Sequence, residues 1–287
     1  MSTSTGPGER IEAMTPSCSR ADEVTVTQRL LRQGLARGAR PALVGGAGSR
    51  SYTYAELVAT IQAAAAGLAW RGLQPGDVVG VQVPDAVSYV LATHAIRAAG
   101  GVPSPVAAGL AVPEIAGQLA ECGARMLLTA PPLAIAALAA ADRSWVRQVI
   151  SFGDAAGTIP FSALLGMGSL ACSAGRAQEA ALLSFARRPD GTLGQAVMTH
   201  MEMTDELRRL AAAGLTERDV VLAAPPAGDG RAYTTFIDNA LARGAVIVAA
   251  RTDELAAAAG AHHGTAVIVP TGIEVGAAEP LRVFAVA

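Results

Sequence analysis

Apolar positions along the chain change period again and again, and each change marks an element. The pattern is most explicit over residues 53–85, TYAELVATIQAAAAGLAWRGLQPGDVVGVQVPD. Leu57, Ile61, Ala64 and Leu68 recur at helical spacing and predict one buried stripe on a helix over 54–71. Thr53 precedes Glu56 by the interval of a capping box, in which each residue satisfies a backbone amide of the other. Gly72 stops the helix and Pro75-Gly76-Asp77 turns the chain. Residues 78–83 are short, apolar and β-branched, which predicts a strand inside a sheet. Pro84-Asp85 then opens another helix.

The same alternation runs through most of the chain. Residues 24–36 predict an amphipathic helix, and 41–44 with 51–52 a hairpin around Gly45-Gly46-Ala47-Gly48. A helix over 86–99 offers Val87, Val90, Leu91, His94 and Ile96 for burial. A lone histidine on such a face predicts a satisfied core residue. Pro113 opens a helix with Ile115, Leu119 and Cys122 in its stripe and Gly123 as its stop. Strands at 126–129 and 148–152 flank a helix at 133–141. Residues 166–176 are rich in Gly and Ser and read as a linker. A strand at 180–185 and a helix over 201–213, with Leu207 and Leu210 inward, come next. Strands at 220–224, 245–250, 265–269 and 281–286 alternate with helices at 233–243 and 253–261. Strands and helices joined by short connections argue for parallel βαβ units and an α/β fold. Residues 1–22, poor in apolar side chains, read as a disordered tail. The expected division is 23–165, a linker at 166–177, and 178–287.

Composition narrows the function. Apolar residues make up 51% of the chain but aromatics only 4%, so the core is built from small side chains. A net charge of −2 gives no electrostatic case for nucleic acid or an anionic membrane. A mean hydropathy of +0.37 raises the question of a membrane span. The uncharged run 98–113 is shorter than the roughly 20 apolar residues a span requires, and Pro103, Pro105 and three glycines interrupt it. The first residues carry no apolar core, so no secretory signal is read there and a cytoplasmic location is expected. Cys18, Cys122 and Cys172 have no metal or redox spacing. His262-His263 stand side by side at a helix end, where their side chains diverge, so no metal site is expected. All 22 basic residues are arginine. Any mechanism needing a lysine of this chain is therefore excluded.

The stretch 53–85 also carries a resemblance. A Thr-Tyr-x-Glu-Leu helix start, Gly-Leu-x-Pro-Gly-Asp-x-Val and a strand ending in Pro resemble the opening of the adenylate-forming enzymes. These include acyl- and aryl-CoA synthetases, nonribosomal peptide adenylation domains and luciferases. The resemblance is well marked over the first half of the chain and eroded over the second. It implies two stacked α/β subdomains, with mostly parallel sheets flanked by helices, as in the N-terminal domain of the acyl-CoA synthetases. In that family a loop reading Ser/Thr-Gly-Thr-Thr-Gly-x-Pro-Lys-Gly cradles the ATP phosphates and is followed by an apolar run and Thr-His. Aligned on Thr199-His200, the loop falls on Arg187-Arg188-Pro189-Asp190-Gly191-Thr192-Leu193-Gly194-Gln195. Gly191 keeps its type. Pro189 lacks an amide donor, Asp190 would repel phosphate, and Gly194 stands in the lysine position. Residues 187–190 also read simply as a turn. The Pro-x-Phe-His-like segment of the acyl pocket is here Pro225-Pro226-Ala227-Gly228-Asp229-Gly230, without the aromatic or the histidine. The family's ribose-binding and adenylation-lysine segments would fall beyond Ala287.

The resemblance thus implies a vestigial phosphate loop made of Arg187, Arg188, Asp190, Gly191, Thr192, Gly194, Thr199 and His200, with no catalytic and no metal residue. The expected role is a non-catalytic acyl- or aryl-CoA-synthetase-like module with no cofactor, binding a protein partner or a carboxylate or acyl ligand. The alternative is an AMP-forming acyl- or aryl-acid ligase that works with a second polypeptide and uses ATP and Mg.

Overall fold

The computed structural model describes residues 25–46, 50–170, 176, 178–187, 193–225, 230–276 and 281–286. The chain begins with α1 (Val26–Arg37), β1 (Pro41–Val44), β2 (Tyr52–Thr53) and α2 (Tyr54–Trp70). β3 (Val78–Val81), α3 (Ala86–Ala98), β4 (Val102–Pro105), α4 (Val112–Glu121), β5 (Met126–Thr129), α5 (Ala134–Ala141), β6 (Gln148–Ser151) and β7 (Ile159–Pro160) follow. Then come β8 (Ala180–Arg187), β9 (Leu193–Thr199), α6 (His200–Arg209), β10 (Val220–Ala223), α7 (Arg231–Arg243), β11 (Val246–Ala249), α8 (Leu255–His262), β12 (Ala266–Pro270) and β13 (Arg282–Val286).

The α2 helix forms for the reasons its sequence states. Thr53 Oγ1 accepts from the Glu56 amide at 3.2 Å, and Glu56 Oε2 accepts from the Thr53 amide at 2.9 Å. Leu57, Ile61, Ala64 and Leu68 are fully buried. Asp85 caps α3 in the same manner, accepting from the Ser88 amide at 2.9 Å.

Two sheets carry the fold. One has six strands in the order β13-β12-β10-β11-β1-β2, parallel except for the β1–β2 pair. The other has five parallel strands in the order β4-β3-β5-β6-β7. The main core lies between them: α2, α3 and α7 bury Leu57, Ile61, Ile96 and Ile237 against Leu43 and Ile247 of one sheet and Val81, Leu128 and Ile150 of the other. α4 and α5 cover the outer face of the five-stranded sheet. α8 covers the outer face of the six-stranded sheet. The α/β class and the parallel sheets flanked by helices agree with the sequence reading.

The sheets do not follow chain order. β1 lies parallel to β11, with Leu43 opposite Ile247, so an N-terminal strand completes the sheet made mainly by residues 220–286. The stretch read as a linker starts against α2, where the Leu170 amide donates to the Gln62 carbonyl at 3.1 Å. Leu210, read as inward, sits half-buried in a 3-10 turn, while Leu207 is buried. No helix among the described residues is long and apolar enough to cross a membrane.

Candidate functional site

β8 and β9 pair antiparallel as a separate two-stranded sheet, with Leu183 opposite Val197 and Ala186 opposite Gly194. Leu183 and Phe185 bury against Val102 of β4, and Ala181, Leu182 and Met198 against α1 and α6. Of the loop read over 187–195, Arg187 ends β8 and residues 193–195 open β9. Gly194, aligned with the family's lysine, is a buried ladder position on a strand. The signal was present as a period of two: Gly194 and Met198 face inward, Gln195 and Val197 outward. Arg188, Asp190, Gly191 and Thr192 lie outside the described residues, and Arg187 is the last residue of β8.

Thr199 is committed to the start of α6. Its Oγ1 accepts from the Glu202 amide at 3.2 Å, and Glu202 Oε2 accepts from the Thr199 amide at 2.8 Å. His200 follows, with its amide donating to the Glu179 carbonyl at 3.0 Å. Its ring is buried, and Nδ1 has no hydrogen-bond partner among the described residues. Burial, reinforced by the Arg97 charge, lowers the imidazole to about 4, so it is neutral at pH 7.

Under the hairpin lies a buried charged cluster. Arg97 of α3 donates from Nη1 to Asp238 Oδ2 of α7 at 2.8 Å and from Nε to the Ala181 carbonyl of β8 at 2.8 Å. His94 sits with Nε2 at 3.1 Å from Asp238 Oδ1 and Nδ1 at 2.9 Å from Thr27 Oγ1 of α1. His94 is thus a core histidine, as its helical face predicted, hydrogen-bonded through Nδ1, while Nε2 makes a close contact with Asp238 but no hydrogen bond of good geometry. Burial alone would raise the Asp238 carboxyl; Arg97 and His94 overcome this and hold it below the usual aspartate range. The cluster ties four elements together and spends its charges internally. Nothing in the sequence marked it, because Arg97 and Asp238 stand far apart in the chain.

His200 lies close enough to this cluster to feel the Arg97 and Asp238 charges, whereas the Thr199 side chain is taken up by Glu202. Of the segment aligned with the acyl pocket, residues 226–229 lie outside the described residues. Gly230 opens α7 with φ +74°, and a Cβ there would stand 2.5 Å from Pro105 Cβ. Among the described residues no three His, Cys, Asp or Glu side chains group as metal ligands. His262 ends α8 and His263 leaves it with φ +52°.

A cleft of about 340 Å³ opens near β2, the start of α3 and the segment after β6. Tyr52, Asp85, Phe152 and Phe161 line it, and sequence reading singled out none of them for ligand binding.

Residues 30–169 match the family described as AMP-binding enzyme. Over 95 residues the chain is 39% identical to a feruloyl-CoA synthase of an Amycolatopsis species, covering 32% of this chain and 19% of that protein. The fold is similar to that of a long-chain-fatty-acid-CoA ligase from Archaeoglobus fulgidus, with a TM-score of 0.78 and 18% identity over 86% of this chain and 52% of that one. It is also similar to a benzoate CoA ligase from Burkholderia xenovorans, with a TM-score of 0.73 and 20% identity over 87% of this chain and 50% of that one. The chain thus spans about half the length of these ligases. Residues 30–169 are thus similar to the AMP-binding enzyme family, and the fold is that of the N-terminal portion of the acyl- and aryl-CoA ligases.

Proposed function

We propose that this chain is a non-catalytic acyl- or aryl-CoA-ligase-like module, whose role is binding a protein partner or a carboxylate or acyl ligand. One observation carries the reading: the segment aligned with the phosphate loop holds a proline and an aspartate, and neither it nor the rest of the chain holds a lysine. Adenylation requires the triphosphate to be gripped while a carboxylate is held in line with the α-phosphorus. A segment that sets the Asp190 carboxylate among its amides, with Gly194 in place of the lysine, opposes that grip. The ladder position of Gly194 and the internal pairing of Arg97 support the same reading. Equilibrium dialysis with MgATP tests it. The expected result is no saturable binding in the millimolar range; saturable binding weakened by Arg187→Ala or Arg188→Ala contradicts it.

A further inference from the structure

Open α/β sheets take ligands in the crevice outside the carboxyl ends of their parallel strands. The 340 Å³ cleft has that position on the five-stranded sheet: Asp85 lies just past β3, and Phe152 and Asp154 just past β6. Its volume falls in the lower part of the range for small-molecule sites, roughly 300–1,000 Å³. One wall is aromatic. Phe152 and Phe161 stack with centroids 4.2 Å apart and planes 22° apart, and half-buried Tyr52 comes in from the other sheet. The rim is charged. Arg50 lies over the Tyr52 ring at 4.9 Å and pairs with Glu56 at 3.3 Å on the exposed side of the rim. Asp85 uses Oδ1 to cap α3, and Asp154 is exposed with no salt bridge among the described residues. The Tyr52 hydroxyl is raised above its ordinary value by burial and by the neighbouring carboxylates, against the pull of Arg50, and stays a neutral donor. An aromatic wall beside two carboxylates fits a ring that carries a cation.

We propose that this cleft binds a small arylalkylamine. The ring packs on Phe152 and Phe161, and the ammonium is held by the Asp85 and Asp154 carboxylates. The site is separate from the hairpin on which the proposed function rests, and either reading can fail without the other.

Phenethylamine is the probe, with phenethyl alcohol as the neutral match and phenylpropionate as the anionic one. Each is titrated into the full chain and followed by aromatic NMR signals and calorimetry. The amine is expected to bind saturably, to shift the Tyr52, Phe152 and Phe161 ring signals, and to bind about tenfold tighter than either match, as a charge-assisted hydrogen bond implies. Asp154→Asn, at an exposed position, is expected to weaken amine binding by a similar factor with the thermal midpoint unchanged. Asp85→Asn, which keeps a cap acceptor, is expected to do the same. Equal binding of the alcohol, tighter binding of the acid, indifference to both substitutions, or no saturable binding overturns the proposal.

Discussion

Asp238 is 2% exposed and ionised between Arg97 and His94. Because its folded value lies below the unfolded one, its contribution is fully present above the ordinary aspartate range. It is lost as pH falls through the lower folded value. His200 acts in the same direction from a different cause. Its folded value near 4 lies below the ordinary imidazole value of 6.5, so the unfolded chain takes up a proton first. Stability therefore falls as pH drops from about 6.5 to about 4, by up to on the order of 3 kcal/mol at 1.36 kcal/mol per unit. Urea unfolding at pH 7 and pH 4.5 is expected to show a smaller acid loss in His200→Gln than in the unsubstituted chain; equal losses contradict the assigned burial. Asp238→Asn leaves Arg97 buried without its counter-charge, and is expected to cost about 3–5 kcal/mol at pH 7. Leu57→Ala, in the stripe that sequence spacing already placed inside, is expected to cost about 2–5 kcal/mol by chemical denaturation.

Elements were legible where one local rule decided them. The Thr53–Glu56 cap, the α2 stripe, the turn at Pro75-Gly76-Asp77 and the alternation of strands and helices follow from spacing within a few residues. β8 was legible as the strand at 180–185, but β9 was not, because its short alternating run begins inside the segment that aligns with the family's loop. The Arg97–Asp238 pair was not, because only tertiary packing brings α3 and α7 together. Helix approach is another such fact. A Cβ on Gly67 of α2 would lie 2.4 Å from the Leu164 carbonyl, a backbone atom with little room to yield. Gly67→Ala is therefore expected to lower the thermal midpoint, even though alanine favours an exposed helix over glycine by about 1 kcal/mol. A raised midpoint means that Leu164 is not packed there.

At the scale of the molecule, β1 enters the sheet formed mainly by the second half of the chain, and the Tyr54 hydroxyl donates to the Ala245 carbonyl at 2.8 Å. The two sheets share one core, so they are expected to unfold together. Trp70 and Trp145, both exposed and both near the five-stranded sheet, report on that part, while far-ultraviolet circular dichroism reports on all of it. Their urea transitions are expected to coincide; separated midpoints mean that the sheets are independent.

On the proposed reading, the segment aligned with the family's phosphate loop opposes the family's chemistry. Carboxylate-dependent ATP–pyrophosphate exchange by the purified chain, run with a panel of fatty and aromatic acids, tests this most directly. Exchange at background is the predicted result. Exchange that rises with a carboxylate and falls on Arg187→Ala or Arg188→Ala would contradict it.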